Sequence, residues 1–247
     1  MAAGAILDGA PRFPPLMRGM AVLPGDDPLA AAITAAATGT DPGLVSYRLD
    51  PAALEAALVL APETTLERAM PAVFCAAHGF ADALGALAPP EVGVHFEWPA
   101  GFRVNGARCG GLRAAASCRD ADAEPDWLVI GISVPFRGLD PDAPGRTADV
   151  TVLAEEGCAD IPPVALLEAW CRHTLVWLNT FLDDGMRKVH EAWRARAHAM
   201  GKPVEVNLPG ARASGVFRGL DEWGNMLLAR PDGTTGLVPL VAMLETT

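Results

Sequence analysis

Residues Phe96–Leu112 read FEWPAGFRVNGARCGGL, and the way this stretch folds decides the rest. Trp98-Pro99 closes an apolar run that begins at Val92. Asn105-Gly106 sits between two extended pieces, and a two-residue hairpin turn needs positive φ at both central positions, which Asn and Gly tolerate best. The stretch is therefore a strand, Trp-Pro, a hairpin, and a returning strand that carries Arg108 just ahead of Gly110-Gly111. Glycines there permit close approach of a ligand or of a neighbouring strand, because no Cβ intervenes.

Upstream, residues 1–26 are rich in Pro and Gly and read as an extended leader. Asp26-Asp27-Pro28 then opens an alanine-rich helix, since carboxylates and proline suit a helix start. Leu44–Tyr47 and Leu54–Leu60 read as strands, with helix left open for the second because of its Ala-Leu-Glu. Thr64–Leu87 carries Leu66, Met70, Val73, Phe74, Ala77, Phe80 and Leu84 at helical spacing. Pro71 either bends that helix or marks its true start.

Downstream, Trp127–Val134 is a nearly continuous apolar run, as expected of a strand covered on both faces. Gly138–Arg146 reads as a loop rich in Pro, Asp and Gly. A second long helix runs from Val164 to about His198, interrupted at Asp183-Asp184-Gly185. After Gly201-Lys202-Pro203 come four short strands, at 204–208, 214–220, 225–230 and 236–241, in the pattern of a small β-barrel. The expected division is residues 1–200 and 201–247.

The chain has 247 residues, 51% of them hydrophobic and 20% charged, which suits one large domain with a small appendage. A net charge of −11 argues against a nucleic-acid partner, which needs a basic surface. Five cysteines without CxxC or paired spacing read as reduced thiols of a cytoplasmic protein and supply no zinc set. The N-terminus lacks the form of a signal peptide. Helical stretches such as Val164–Leu182 carry charge, so no membrane partner is expected.

The order of these features resembles the biotin and lipoate protein ligases, whose central motif runs W-P-N-D, N-G and K-x-x-G-I-L. Leu128–Val134 is similar to that family's V-I-G-I-G-I-N-V strand. The helix with Phe181, Gly185-Met186 and Trp193 is similar to its last catalytic-domain helix. Gly215–Asp221 with Gly224–Leu228 resembles the SH3-like domain that follows many biotin ligases. The resemblance implies an α+β fold, with a mixed central sheet and helices forming the catalytic domain and a small C-terminal SH3-like β-barrel after it. It implies ATP and magnesium, and a small carboxylic acid such as biotin, lipoate or octanoate. The acid would pass through an acyl-adenylate to a lysine of a biotinyl or lipoyl carrier domain. A homodimer is left open.

The chain departs from the pattern in three places. The Asn-Asp positions are Ala100 and Gly101, which offer no side-chain oxygen to magnesium. The lysine position is Arg108, whose planar guanidinium is not an equivalent cation. The glycine- and arginine-rich loop that should cradle phosphate is replaced by Arg48-Leu49-Asp50-Pro51-Ala52-Ala53. Losing one preorganised donor costs roughly 3–4 kcal/mol in acyl-transfer enzymes, so ordinary ligase activity should be impaired. A non-catalytic protein that binds a small acid or a nucleotide on the same fold is the alternative.

Arg108 is the candidate catalytic residue, either as a ligand-facing cation or as a solvated hairpin arginine. Trp98, Gly110, Gly111, Gly131 and Arg48 are the candidate ligand-binding residues. For Trp98 the competing role is core packing, for the glycines a tightly packed sheet, and for Arg48 an ordinary surface position. Cys109 alternates to the face opposite Arg108 if the strand is regular, which suits a packing residue better than a nucleophile.

Overall fold

The computed structural model describes residues 10–138 and 149–245. The chain runs β1 (Arg18–Ala21), α1 (Pro28–Ala37), β2 (Leu44–Asp50), β3 (Ala53–Leu60), α2 (Leu66–Ala69), α3 (Ala72–Leu87), β4 (Val94–Glu97), β5 (Gly101–Val104), β6 (Ala107–Ala116), β7 (Leu128–Pro135), α4 (Pro163–Asp184), α5 (Met186–Arg196), β8 (Pro203–Leu208), β9 (Ala211–Leu220), β10 (Met226–Ala229) and β11 (Thr235–Val238). Of the expected loop Gly138–Arg146, all but Gly138 lies outside the described residues.

The first seven strands form one sheet in the order β1-β2-β3-β7-β6-β5-β4. β1 and β2 are parallel and every other neighbouring pair is antiparallel. Part of the extended leader is thus a sheet strand. Residues 54–60, for which helix remained open, are β3, paired on both sides. The central strand is β7, where Leu128, Val129, Ile130 and Val134 are fully buried. Burying each such side chain is worth roughly 1.5–3 kcal/mol, so this apolar run anchors the sheet.

Helices α3 and α4 pack together on one face of the sheet. Pro71 separates α2 from α3, because a proline mid-helix removes a backbone donor and clashes with the preceding turn. Gly185, at φ 70°, separates α4 from α5. Residues Leu66–Leu87 are apolar and long enough to cross a membrane, and 78% of their most apolar window is buried inside this fold. On the other face α1 lies alone over Leu44, Ala57, Val59 and Val129. Asp27 caps it, accepting from the Leu29 N–H at 3.0 Å.

The last four strands form a separate antiparallel sheet, β11-β10-β9-β8. Where an SH3-like barrel was expected the structure gives a separate four-stranded sheet, and no pairing of β8 with β11 closes it among the described residues. This sheet shares the main core: Phe217 meets Trp193 edge-on at 6.1 Å, and the Trp98 indole donates to the Gly224 carbonyl at 3.0 Å. At the C-terminus the Glu245 N–H donates to the Ala114 carbonyl on β6 at 2.9 Å. That bond brings the Glu245 side chain to the face covered by α1.

His78, on α3, is fully buried between Trp177 and Phe96, and one ring nitrogen, Nε2, lies 3.1 Å from the Val189 carbonyl. Burial pushes its pKa from 6.5 down to about 4, against the Val189 carbonyl and Asp82, which favour the proton, and with Arg196, which opposes it. The unfolded chain therefore takes a proton that the folded chain refuses between those two values. His78 costs no stability above pH 6.5, and its penalty grows as pH falls towards 4. From pH 7 to pH 4.5 the loss is roughly 2–3 kcal/mol by linkage, and urea unfolding should show it shrinking in His78→Gln. An equal loss in the variant contradicts this assignment.

Candidate functional site

The candidate site lies on the face of the sheet beside α1. Asn105 (φ 49°) and Gly106 (φ 96°) make the tight turn between β5 and β6, which pairs Arg103 with Arg108 directly across the hairpin. Like charges placed opposite each other on a sheet are destabilising, so this register demands counter-charges. Glu97 and Asp149 supply them.

Arg103, only 6% exposed, donates to Glu97 at 2.8 Å and to Asp149 at 2.7 and 3.2 Å. Arg108 donates to both oxygens of Glu97, at 3.1 and 2.9 Å, and lies 3.6 Å from Asp149. The strand edge at Arg108 is further held by the 149–151 segment, through Arg108 N–H to the Asp149 carbonyl and Thr151 N–H to the Arg108 carbonyl. Burial pushes the Glu97 carboxyl up, and the hydrogen bonds and charges of the two arginines outweigh it, leaving its pKa below the ordinary value. The hydrogen bond from Arg103 holds Asp149 down in the same sense.

Beyond the turn, the register between β5 and β6 slips by one residue, so that Cys109 and Gly110 together oppose Phe102. Gly110 has φ 78°, and a Cβ there would sit 2.1 Å from the Ser133 carbonyl oxygen, so this bulge requires glycine. The bulge decides the chemistry of the face. Side chains alternate along a regular strand, so residues five apart point to opposite sides. One extra residue resets the alternation and puts Arg108 and Arg113 on the same face.

A single cross-strand row then runs Arg48, Glu55, Ser133, Gly111, Gly101, Glu97 over six strands. Its middle, Ser133-Gly111-Gly101, is a floor almost free of side chains. At one end Arg48 pairs with Glu55 and donates to the Asp26 carbonyl at 2.7 Å. At the other lie Glu97 and Arg108, beside a cleft of about 420 Å³ whose far wall is Glu205–Leu208 of β8. Alongside the floor, Arg113 donates to both oxygens of Asp27, at 2.8 and 2.9 Å, and lies 3.5 Å from Glu245.

The candidate residues are thus distributed unequally. Arg108, Gly110 and Gly111 gather towards the hairpin end of the row, and Arg48 lies at its opposite end. Arg108 is 55% exposed on its side chain and already shared between two carboxylates. A Cβ on Gly111 would lie 2.7 Å from the Ala100 carbonyl oxygen, and one on Gly131 would lie 3.2 Å from Leu29 of α1, so strand and helix packing occupy both positions. Trp98 is 7% exposed and turned into the core towards Gly224. Cys109 is fully buried on the opposite face from Arg108.

The sequence reading missed Glu97, Arg103, Asp149, Arg113, Asp27, Glu55 and Glu245. One signal was available: a two-residue turn at 105–106 fixes Arg103 opposite Arg108 and so calls for nearby acids. The rest depends on a bulge and on pairing between distant strands.

The phosphate loop is absent in a physical sense. Asp50 pairs with Ala53, leaving Pro51-Ala52 as a two-residue turn closed by Ala52 N–H to the Asp50 carboxylate at 2.8 Å. No span of backbone amides remains there to surround a phosphate. Ala100 and Gly101 carry no side-chain donor, and the nearest carboxylate, Glu97, is committed to two arginines. These residues do not fit a magnesium ion.

A sheet covered by paired helices on one face, a small-residue floor beside a hairpin arginine, and a β-rich C-terminal unit together define a ligase-type domain of the biotin and lipoate kind. The model of the biotin/lipoate A/B protein ligase family matches residues 13–195, and the chain belongs to that family. A biotin--[acetyl-CoA-carboxylase] ligase from Paracoccus denitrificans is 30% identical over 180 residues, covering 71% of this chain and 73% of that protein. The crystal structure of a biotin protein ligase-like protein of unknown function from Silicibacter sp. TM1040 matches at 47% identity and TM-score 0.88, over 96% of this chain and 100% of that one. The biotin protein ligase of Aquifex aeolicus in complex with biotin and ATP is 15% identical with TM-score 0.65, covering 90% of this chain and 94% of that one, a likeness of fold alone.

Burial, with Glu156 and Cys158 adding to it, pushes the Cys109 thiol from 9.0 up to about 12. Only thiolates react readily with electrophiles. Native protein at pH 8 should therefore label with maleimide at the half-buried Cys118 and not at Cys109 until it is unfolded. Comparable labelling of both, read by peptide mass spectrometry, contradicts the assignment of Cys109 as a packing residue.

Proposed function

We propose that this chain binds a small carboxylic acid on the Ser133-Gly111-Gly101 floor and that its ligation of the acid to a carrier-protein lysine is strongly attenuated. The observation that carries this reading is that each arginine facing the floor is already paired with a carboxylate of the chain itself. Adenylation and acyl transfer both build negative charge on oxygen, and fixed donors aimed at that charge are the main source of catalysis. Here Arg108 must leave Glu97 before it can serve, and no backbone cradle assists it.

Family membership supports an acid of the biotin, lipoate or octanoate kind, ATP as the activating nucleotide and a biotinyl or lipoyl carrier domain as partner. The Paracoccus relative is a biotin--[acetyl-CoA-carboxylase] ligase, and the Aquifex protein binds biotin and ATP. The meander order of β8–β11 supports an SH3-like appendage. Five free thiols support a reducing compartment, the cytoplasm. The ion-paired floor also favours a second reading, a binder without turnover.

Incubation with ATP, magnesium, each acid and a carrier domain tests the proposal. Loss of one or more oxyanion donors lowers turnover by about 100-fold or more. Acids should raise the melting temperature while pyrophosphate release and carrier mass change stay at least that far below an active biotin ligase run in parallel. Release at the rate of that control contradicts attenuation, and the absence of any thermal response to acids contradicts the pocket.

A further inference from the structure

One polar side chain on the floor is not tied to a neighbour. Along the row, Arg48 pairs with Glu55, and Glu97 pairs with Arg103 and Arg108, so each charged side chain there has its counter-charge. Gly111 and Gly101 bring no side chain at all. Ser133 is left, half-buried between Glu55 and Gly111 across the sheet and between Gly131 and Pro135 along β7. Among the described residues its hydroxyl has no hydrogen-bond partner, whereas that of Ser46 on the same face donates to the Pro28 carbonyl at 2.5 Å. The difference lies in the cover. α1 begins over Ser46 and reaches Gly131 through Leu29, and Ser133 stands just beyond it on the open floor.

A serine hydroxyl both donates and accepts, and on an open floor water serves it. A plain alkyl tail laid over Ser133 would displace that water and return no hydrogen bond, which is costly for a covered hydroxyl. A tail with an uncharged polar group at that depth would replace the water bond for bond. A charged tail finds no vacant counter-charge, because Glu55 is held by Arg48 and Arg113 by Asp27.

We propose that Ser133 is a specificity-determining residue, selecting acids whose far end carries an uncharged hydrogen-bonding group over acids with a plain alkyl tail. The carboxylate of such an acid lies towards Arg108. Ser133 stands two strand spacings from Gly101 and three from Glu97, about 10 to 14 Å at the usual separation, which is the reach of an octanoate chain with one polar atom at its end. The inference rests on the floor being the acid site and narrows the class of acid that enters it.

Octanoate and ω-hydroxyoctanoate, titrated into the full chain by calorimetry, differ only at the far end. The hydroxy acid should bind about tenfold more tightly to the unaltered protein. Ser133→Ala should bring the two acids to within about twofold of each other. Ser133→Thr, which keeps the hydroxyl on a residue suited to a strand, should keep the preference. Both variants are checked for an unchanged melting temperature without ligand. Octanoate binding to the unaltered protein as tightly as the hydroxy acid, or more tightly, overturns the selectivity while leaving the acid site intact. A preference that persists in folded Ser133→Ala overturns the assignment to Ser133. Failure of both acids to bind overturns this inference together with the site it rests on.

Discussion

The pairing of Arg103 with Arg108 across the β5–β6 hairpin is the constraint from which the site follows. A two-residue turn at Asn105-Gly106 leaves no other register, and two guanidinium groups side by side need acids. Glu97 meets the need from β4 and Asp149 from the segment that straps the strand edge. The same acids that make the hairpin stable remove Arg108 from the pool of free cations. In the proposed reading ligation would draw on the same guanidinium, and in this chain the ion pairs hold it.

The Gly110 bulge extends that logic along the strand. By resetting the alternation it brings Arg113 onto the face that Arg108 occupies, where Asp27 and Glu245 neutralise it. α1 therefore does more than cover the sheet, since its capping residue Asp27 is also a wall of the floor. The C-terminal unit takes part as well, through Glu245 beside Arg113 and through β8 beside the hairpin cleft. The result is a ligase-type fold whose phosphate loop has shrunk to a turn and whose cations are matched by its own carboxylates.

Much of the fold was legible in the sequence because its signals are local. The Asn105-Gly106 turn, the apolar β7, the helix break at Pro71 and the interruption at Gly185 each depend on residues adjacent in the chain. The missing phosphate loop was legible for the same reason, since a glycine-poor interval between two strands leaves little else. The charged floor was not legible. It depends on a one-residue slip at Gly110 and on the registers of five strand pairs, and no local pattern encodes those. Glu245 is the extreme case, reaching Arg113 from the far end of the chain. Trp98 takes both of the roles left open for it, lining the hairpin cleft while its indole is held towards the core by a hydrogen bond to Gly224.

The central claim is that the chain's own carboxylates hold Arg108, the cation of the proposed site. The affinity of Glu97→Gln for AMP, compared with that of the unaltered protein, tests it most directly. Removing that charge while keeping the side chain's shape frees Arg108 for one charge-assisted hydrogen bond, worth roughly 1.5–3 kcal/mol. AMP should bind about tenfold or more tightly to the variant, provided its melting temperature shows that it remains folded. Unchanged or weaker binding by a folded variant would contradict the account.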